Sequence, residues 1–272
     1  MPEYPEMDHY RMLLGASVAG QRIRKVAVER EKSVNLPAGE FVSRLEGRTI
    51  WFVERRGKHL IFHLDNGERL LLHLMLGGWM FYGSEEERPD RTVQVQLDLD
   101  SGNLYFIGLR LGYLHLLSAK ETEGKLAALG PEPFDPRLTL AAFTARLQAK
   151  KRSALKTVLV DQSVIAGIGN CYSDEIAWEA KLRPDAKLGG LSEESFSRLY
   201  DAMHSMLLEA RTRGGYMEHP FQTGDEATGG YNDDCKVYDR PGGECCRCGG
   251  TIEQHEMSSR KVFFCPECQK ES

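Results

Sequence analysis

The spacing of hydrophobic and polar positions predicts a short helix followed by a long strand-rich stretch in the first half of the chain. Residues 3–15 carry apolar side chains at helical spacing. Short apolar runs then alternate with polar turns up to about residue 117, and Asp65-Asn66-Gly67 and Asp100-Ser101-Gly102 are typical of hairpin turns. We therefore expect residues 1–130 to form a β-rich domain, a sandwich. The clearest strands are predicted at residues 49–53, 59–64, 70–74, 93–99 and 104–107.

A proline-rich segment separates this half from a helical one. Residues 130–136, Gly-Pro-Glu-Pro-Phe-Asp-Pro, cannot continue a helix or a central strand, because proline lacks a backbone N–H and fixes φ, and we interpret them as a linker. We predict a helical domain over residues 131–235, so the chain belongs to the α+β class, with helices flanking the sandwich. A 3.6-residue period predicts helices at 138–149, 153–161, 171–180 and 191–213, and the glycine-rich stretch 214–235 is predicted to be a loop.

Four of the seven cysteines form two C-x2-C pairs near the C-terminus, Cys245 with Cys248 and Cys265 with Cys268. This spacing is typical of a zinc site in which each tight turn supplies two thiolates to a tetrahedral ion. Cys246 would shorten the first turn, so we expect it to remain free. Two disulfides are the alternative, and they are disfavoured because the chain shows no secretion signal. With strands predicted at 251–253 and 261–264, residues 236–272 should form a zinc-held β-hairpin.

The first six residues, Met-Pro-Glu-Tyr-Pro-Glu, contain a potential nucleophile. Removal of Met1, which a small second residue permits, would make Pro2 an N-terminal secondary amine. An α-amino group titrates near about pH 7.7–8.0, so a useful fraction is unprotonated at neutral pH. Its attack on an aldehyde-like carbon gives an iminium ion, which draws electrons from neighbouring bonds. Glu3 and Glu6 are candidate proton carriers, and an ordinary chain start without chemistry is the alternative.

The overall charge does not indicate a polyanionic partner, since 35 Lys and Arg residues are outnumbered by 40 Asp and Glu residues. Any contact with nucleic acid must therefore be local. Basic clusters occur at Arg55 to Lys58 and at Lys150 to Arg152 with Lys156, and such clusters are more often solvated faces. No apolar run is long enough to span a membrane, and the acidic N-terminus does not resemble a signal peptide. We expect a cytoplasmic protein.

Residues 161–170 connect two of the predicted helices. Gly167 and Gly169 permit a tight backbone path, and Asn170 is predicted to cap the next helix. The N–H groups at the start of a helix can hold a phosphate. A plain helix connection is the alternative, because a single Gly-x-Gly is a weak signal.

Together these motifs closely resemble those of the formamidopyrimidine-DNA glycosylase and endonuclease VIII (Fpg/Nei) family of bacterial DNA glycosylases, over the whole chain. The resemblance implies an N-terminal β-sandwich, a helix-two-turn-helix domain and a zinc finger, with DNA bound in the cleft between the halves. It also implies base excision coupled to strand cleavage. The motifs are Pro2-Glu3, Pro5-Glu6, Arg56-Gly57-Lys58, the His73 strand, Leu129 to Pro133, Asp161-Gln162 through Asn170-Cys171-Tyr172, Asp174-Glu175, Val237-Tyr238 and the four paired cysteines.

The resemblance assigns catalytic roles to four residues. It implies that Pro2 attacks the sugar carbon that carries the damaged base. It implies that Glu3 protonates the sugar ring oxygen as the ring opens, and that Glu6 orients or relays protons nearby. Lys58 would pair with a phosphate or with the lesion, and a plain surface charge is the alternative for this residue.

The resemblance also implies that His73, Asn170 and Arg260 bind the phosphates that flank the extruded nucleotide. A guanidinium offers a bidentate fork to phosphate oxygens, and an amide at a helix start is similarly suited. The alternatives are that Arg260 is a surface charge and that His73 is a core histidine on an apolar strand.

The chain departs from the family at the residues that fill the gap left by the extruded base. Leu76, Leu109 and Leu111 stand where the formamidopyrimidine branch has Met, Arg and Phe. Leucine fills space but cannot hydrogen-bond the unpaired base, so the opposite base should matter little. Arg110 is one position away, where strand alternation would point it to the other face. Thr228 to Tyr231 also replaces a stretch that tends to contain Phe, so lesion choice stays open.

We therefore expect a bifunctional DNA glycosylase and abasic-site lyase with one structural zinc ion and no organic cofactor. Its partner should be damaged DNA, duplex or single-stranded, which it would bind as a monomer associated with the nucleoid. A catalytically weak protein that binds DNA damage or abasic sites on the same fold is one alternative, and the intact Pro2-Glu3 pair disfavours it. The other is a zinc ribbon fused to a metabolic enzyme, which no nucleotide-binding glycine motif supports.

Overall fold

A computed structural model describes residues 1–270. Its contacts divide the chain into two compact units. Unit 1 contains Met1–Ala127 and Arg213–Gly230, and unit 2 contains Ala128–Thr212 together with the residues from Tyr231 onwards. The segment Arg213–Gly230 packs with the N-terminal part of the chain although the residues on both sides of it belong to unit 2. The division into three consecutive domains stays a prediction.

Unit 1 is a β-sandwich, as predicted. Its eight strands are β1 Ile23–Val28, β2 Ile50–Arg56, β3 His59–Leu64, β4 Arg69–His73, β5 Trp79–Gly83, β6 Val93–Leu99, β7 Gly102–Ile107 and β8 Tyr113–Leu117. They form two antiparallel sheets in the orders β1-β6-β7-β5 and β2-β3-β4-β8. The two predicted turns join β3 to β4 and β6 to β7, which confirms both hairpins.

Three helices accompany the sandwich: α1 Tyr4–Ser17, α2 Ala38–Leu45 and α3 Ala119–Leu126. The first agrees with the predicted N-terminal helix. Met7 and Tyr10 of α1 are fully buried in one core with Leu60 of one sheet and Leu97 of the other. Removal of this apolar surface from water is the main force that holds the helix to the sheets. The residues just before α1 are therefore attached to a rigid core.

Unit 2 contains helices, a β-hairpin and irregular connections. The helices are α4 Leu140–Gln148, α5 Leu155–Leu159, α6 Asn170–Glu179 and α7 Glu193–Thr212, and the hairpin pairs β9 Glu253–Met257 with β10 Arg260–Phe264. The four predicted helices and the hairpin are confirmed, with shifts of a few residues at their ends. Residues 130–136 form no helix or strand, and Gly130 donates its N–H to the carbonyl of Gln162 at 2.8 Å. No helix within residues 1–270 is long and apolar enough to cross a membrane.

Candidate active site

The start of the chain places two buried carboxylates beside Pro2. Glu3 is the N-cap of α1, and its backbone N–H donates to Oε2 of Glu6 at 2.7 Å in a capping box. The other oxygen of Glu6, Oε1, accepts the backbone N–H of Tyr216 at 2.9 Å. Both oxygens of Glu6 are thus engaged, and the helix start that carries Pro2 is held in one orientation.

A cavity of about 190 Å³ opens at Pro2. Leu76 to Trp79 form one of its walls and Tyr216 to His219 form another. The ring centroids of Trp79 and His219 are 4.3 Å apart. Aromatic walls beside an N-terminal residue suit a planar ring attached to an electrophilic carbon. Pro2 and Leu76, which were predicted separately from the sequence, line the same cavity.

Lys58 and His73 lie near each other at one end of the second sheet. Lys58 lies in the turn between β2 and β3 and is buried, so its interpretation as a plain surface charge is wrong. His73 pairs with His59 across β3 and β4, with ring centroids 4.4 Å apart. Sequence reasoning missed His59. Its ring packs against His73, and its Nε2 lies 3.0 Å from the hydroxyl of Tyr113.

Both of these histidines are neutral at neutral pH. Burial lowers the pKa of His59 to about 4 and that of His73 to about 3, and the positive charge of Lys58 adds to the second shift. Nδ1 of His73 has no hydrogen-bond partner within residues 1–270. Because it is neutral, the imidazole of His73 can contact a phosphate only through a hydrogen bond, and the buried Nδ1 is not available for that bond.

Two leucines project from the turns beside the cavity. Leu76 is 66% exposed and Leu111 is 65% exposed, which is unusual for large apolar side chains. The turns approach backbone to backbone, because a Cβ on Gly108, whose φ is +71°, would lie 1.9 Å from the carbonyl oxygen of Gly77. The glycine thus allows the two exposed leucines to sit on neighbouring rigid turns.

Two expectations about this region are wrong. Leu109 is completely buried in the sandwich core, so it cannot enter a gap in DNA. Residues 108–112 form a turn after β7 has ended, so strand alternation does not govern them. Arg110 and Leu111 are both exposed at this turn.

Asn170 and Arg260 are exposed residues of unit 2. Asn170 is the first residue of α6, and Gly169 is its N-cap, so the prediction that Asn170 caps this helix is wrong. Arg260 begins β10 directly after a two-residue turn, Ser258 and Ser259, in which both φ angles are positive. This hairpin turn places Arg260 near the tip of the hairpin.

Lys156 holds the backbone beside both of these residues. Its Nζ donates to Oδ2 of Asp174 at 2.7 Å, to the carbonyl of Lys261 at 2.9 Å and to the carbonyl of Asn170 at 3.3 Å. The residue is 1% exposed, so its interpretation as part of a solvated face is wrong. Burial raises the pKa of Asp174, and the ammonium of Lys156 opposes that rise. One buried cation therefore links the start of α6 to the strand that carries Arg260.

Glu175, next to Asp174, has a comparable role that sequence reasoning missed. Its carboxylate accepts the backbone N–H groups of Lys236, Val237 and Tyr238 at 2.8–2.9 Å. Burial raises the pKa of Glu175, and these three hydrogen bonds oppose the rise. The signal was present in the sequence as two adjacent acidic residues in a short helix, followed directly by the apolar run Ile176 to Trp178.

The four predicted ligand cysteines converge on one point. The sulfurs of Cys245, Cys248, Cys265 and Cys268 all lie within 4.8 Å of one another, and Cys246 is exposed outside the cluster. The Cys245–Cys268 and Cys248–Cys265 sulfur pairs are 3.8 and 3.6 Å apart. A tetrahedral ion with zinc–sulfur bonds of about 2.3 Å requires sulfur separations of about 3.8 Å, whereas a disulfide requires about 2.05 Å. The donor set therefore fits zinc and excludes the two-disulfide alternative.

The surroundings of the cluster also favour a bound cation. Burial opposes ionisation of Cys245, but the indole N–H of Trp178 at 3.4 Å and nearby backbone N–H groups together lower its pKa to about 6. Burial and the neighbouring sulfurs raise the pKa of Cys268 to about 12. A thiolate at one cysteine thus disfavours a thiolate at the next, and a dication would remove that repulsion.

Comparison with protein families gives two matches along the chain. The formamidopyrimidine-DNA glycosylase N-terminal domain matches residues 1–113, and the formamidopyrimidine-DNA glycosylase H2TH domain matches residues 129–219. Together the two matches span most of unit 1 and the helices of unit 2.

Individual relatives match over nearly the full length. Formamidopyrimidine-DNA glycosylase of Listeria innocua is 37% identical over 275 residues, covering 99% of this chain and 100% of the relative. The protein of the same name from Desulfitobacterium hafniense is 32% identical over 273 residues, with the same coverage. Among solved structures, the complex of Lactococcus lactis Fpg with DNA containing an abasic site has a TM-score of 0.91 at 28% identity, covering 99% of this chain and 100% of that one. A complex of a point mutant of that protein with DNA containing Fapy-dG gives the same values.

Proposed function

Because the chain belongs to the formamidopyrimidine-DNA glycosylase family and is a DNA glycosylase of base excision repair, we propose that Pro2 is its nucleophile. The observation that carries the proposal is the position of Pro2 at an aromatic-walled cavity, directly before the buried carboxylates of Glu3 and Glu6. Abasic-site lyase activity is typical of the family, and a secondary amine supplies the chemistry for both steps.

The proposed reaction begins when the nitrogen of Pro2 attacks C1′ of the damaged nucleotide and the base departs with a proton. Glu3 gives a proton to the ring oxygen as the C1′–O4′ bond opens, which leaves an iminium ion between Pro2 and the sugar. The positive charge acidifies C2′. Loss of a proton from C2′ expels the 3′ phosphate and cleaves the strand, and hydrolysis then frees Pro2. Glu6 holds the helix start in place during these steps.

Borohydride reduction tests the nucleophile directly, because it converts the iminium ion into a stable amine. Wild-type protein and a variant with Gly-Ser added before Met1 are incubated with abasic-site DNA and borohydride, and the adduct is mapped by mass spectrometry. We expect the adduct on Pro2 and none with the extended variant. An adduct on a lysine, or equal trapping by the extended protein, would refute the assignment.

We propose that Glu3 acts on the sugar and is not needed for DNA binding. Glu3→Gln keeps the shape of the side chain but removes the acid. General acid catalysis typically contributes about 10²- to 10⁴-fold, so base excision should slow by about that factor while DNA affinity is unchanged. A Glu3→Gln protein with the wild-type rate would contradict this role.

We propose that Lys58, His73, Asn170 and Arg260 bind phosphates. The exposure of Asn170 and Arg260 supports contacts of this kind. For Arg260→Ala we expect weaker DNA binding. The slope of the logarithm of the binding constant against the logarithm of the salt concentration should decrease in magnitude by about one. Lys261→Ala is the matched control, since it removes an exposed charge from the next position of the same strand. Equal slopes for the two variants would remove Arg260 from the phosphate contacts.

We propose that the four-cysteine cluster holds one structural zinc ion. It would fix the hairpin that carries Arg260, so its removal should lower DNA affinity before the sandwich of unit 1 unfolds. Elemental analysis should give one zinc per chain for wild type and Cys246→Ser and none for Cys265→Ser. Cys265→Ser should bind DNA as poorly as Arg260→Ala and be less stable. Unchanged affinity after chelation of demonstrably bound zinc would contradict the role of the hairpin.

We also propose that the protein acts as a monomer and reads the opposite base weakly, on duplex and single-stranded DNA alike. The exposed apolar side chains of Leu76 and Leu111 support the weak reading of the opposite base, because they can replace lost stacking without hydrogen-bonding the unpaired base. Cleavage of one lesion opposite each of the four bases and in a single strand tests it. A strong preference for one opposite base, together with no cleavage of single strands, would contradict this proposal. It would indicate that Arg110 hydrogen-bonds the unpaired base.

A further inference from the structure

The segment Arg213–Gly230 is attached at two points to the helix that follows Pro2. Near its beginning, the backbone N–H of Tyr216 donates to Oε1 of Glu6 at 2.9 Å. Gly215 has φ +71°, and a Cβ there would lie 2.5 Å from the same oxygen, so the backbone must pass close to the carboxylate. Near its end, Oγ1 of Thr228 lies 3.0 Å from Nε2 of His9. Glu6 and His9 are three residues apart and share one face of α1.

The second attachment is an ordered chain of hydrogen bonds. Oγ1 of Thr228 donates to Oδ2 of Asp225 at 2.5 Å, so its hydroxyl proton is already used. His9 must then supply the proton of its own bond to Thr228, which fixes the tautomer with the proton on Nε2. Burial lowers the pKa of His9, while the charge of Asp225 opposes the shift. The imidazole is thus buried and serves as a donor in this chain.

Asp225 in turn closes the segment on itself. Its Oδ2 also accepts the N–H of Phe221 at 2.9 Å, and its Oδ1 accepts the N–H groups of Ala227 and Thr228 at 3.0 and 3.1 Å. Phe221 is fully buried, with its ring 5.9 Å from that of Tyr10 on α1. The segment is therefore a compact loop with its own side-chain framework, fixed to α1 at both ends.

The position of this loop decides the shape of the cavity at Pro2. Four consecutive residues, Tyr216 to His219, supply one of its walls, and none of them lies in a helix or strand. The wall is held by the Tyr216–Glu6 bond on one side and by the Phe221–Asp225–Thr228–His9 chain on the other. A shift of the wall would alter the fit of a base in the cavity, but it would not touch the amine of Pro2.

We propose that His9, Thr228 and Asp225 are positioning residues that hold the loop wall against the base during excision. The inference rests on the proposed function of Pro2 and names the part of the site that acts on the base alone. Chemistry on a sugar that has already lost its base needs Pro2 and Glu3 but not this wall. The two half-reactions should therefore respond differently when the chain of hydrogen bonds is broken.

Thr228→Val tests this difference, because valine matches threonine in shape and removes only the hydroxyl group. Two rates are measured under single-turnover conditions: excision from duplexes carrying Fapy-dG, 8-oxoguanine or thymine glycol, and borohydride trapping on a preformed abasic site. Small misplacements in active sites cost up to about a hundredfold, so excision should fall by about ten- to a hundredfold. Trapping should stay within about twofold of wild type.

Matched variants separate positioning from folding. Thr228→Ser keeps the hydroxyl and should restore excision, and His9→Gln keeps a donor and should be milder than His9→Ala. Glu226→Gln removes an exposed charge from the same loop and should have no effect. Near-UV circular dichroism confirms that each variant is folded.

The outcomes are distinguishable from failure of the proposed function. If wild-type protein forms no adduct with the abasic site, or excises none of the three bases, the role of Pro2 as a glycosylase nucleophile fails first. In the other case, wild type passes both of these checks while Thr228→Val lowers the excision and trapping rates equally, or lowers neither rate. That result overturns the positioning role and leaves the proposed role of Pro2 intact.

Discussion

Lys156→Met is expected to destabilise unit 2 by about 3–5 kcal/mol, the usual cost of removing one partner from a buried ion pair. All three ammonium protons of Lys156 have acceptors within 3.3 Å, and Asp174 is 0% exposed. After the substitution the carboxylate of Asp174 would keep the N–H of Phe263 at 3.1 Å as a donor. Its second oxygen, Oδ1, already lacks a partner within residues 1–270.

The loss should depend on pH with a definite sign. Burial already raises the pKa of Asp174, and removal of the opposing ammonium raises it further. An acid with a raised folded-state pKa contributes stability at low pH that is lost as pH rises above its unfolded value of about 3.9. Lys156→Met should therefore be closer to wild type at pH 5 than at pH 8.

The fluorescence of Trp178 allows unit 2 to be followed by itself. Of the three tryptophans, Trp51 and Trp79 belong to unit 1, so urea unfolding in a Trp51→Phe, Trp79→Phe background reports unit 2 alone. The double variant Lys156→Met, Asp174→Asn removes both charges and should recover much of the loss.

Lys150→Met is the surface control. The Lys150–Asp161 pair is also close, at 3.0 Å, but its side chains are 43% and 33% exposed. Exposed pairs are worth about 0–1 kcal/mol, so little change is expected. If Lys156→Met costs no more than Lys150→Met, or if its effect is the same at both pH values, the argument that a buried cation holds this unit together is wrong.

Three further predictions test unit 1. Leu109→Ala should lower stability by about 2–5 kcal/mol in urea unfolding, whereas Leu111→Ala should keep stability and slow duplex cleavage; the reverse order would contradict the burial of Leu109. The pKa values of His59 and His73 are lowered to about 4 and about 3, so the free energy of unfolding should fall as pH drops from about 6.5 towards 4. The expected slope is about 1.4 kcal/mol per pH unit for each histidine. Replacement of His59 by Phe should reduce this pH dependence in urea titrations at about pH 5 and pH 7. Trp79→Ala should slow excision of a damaged base more than trapping at an abasic site, and equal rates for wild type and variant would show that this wall does not contact the base.

Features that are local in sequence could be predicted from the sequence. The two C-x2-C pairs lie close along the chain, and a tight turn brings each pair together whatever the rest of the fold does. The hairpin turns of unit 1 and the helix before the sandwich were found for the same reason. The family resemblance then implied that Pro2, Glu3 and Glu6 share one site, and their catalytic roles stay proposals.

Features that depend on burial could not be predicted in the same way. Leu109 and Leu111 are chemically identical and two residues apart, yet the first is in the core and the second is exposed, because β7 ends before them and a turn decides their directions. Lys156 follows a run of exposed basic residues, and only the packing of α5 against α6 shows that it is a buried partner of Asp174.

The sequence by itself determined the four clustered cysteines, most of the strands and the four helices of unit 2, since each of these follows from spacing over a few residues. The family resemblance added Pro2 as the proposed nucleophile. Only the tertiary structure decided that Arg213–Gly230 packs with the first unit, and that Tyr216 and Thr228 bond to Glu6 and His9. Those contacts join residues more than two hundred positions apart. No local pattern records such pairs, because the free energy that forms them comes from the burial of a whole loop against a helix.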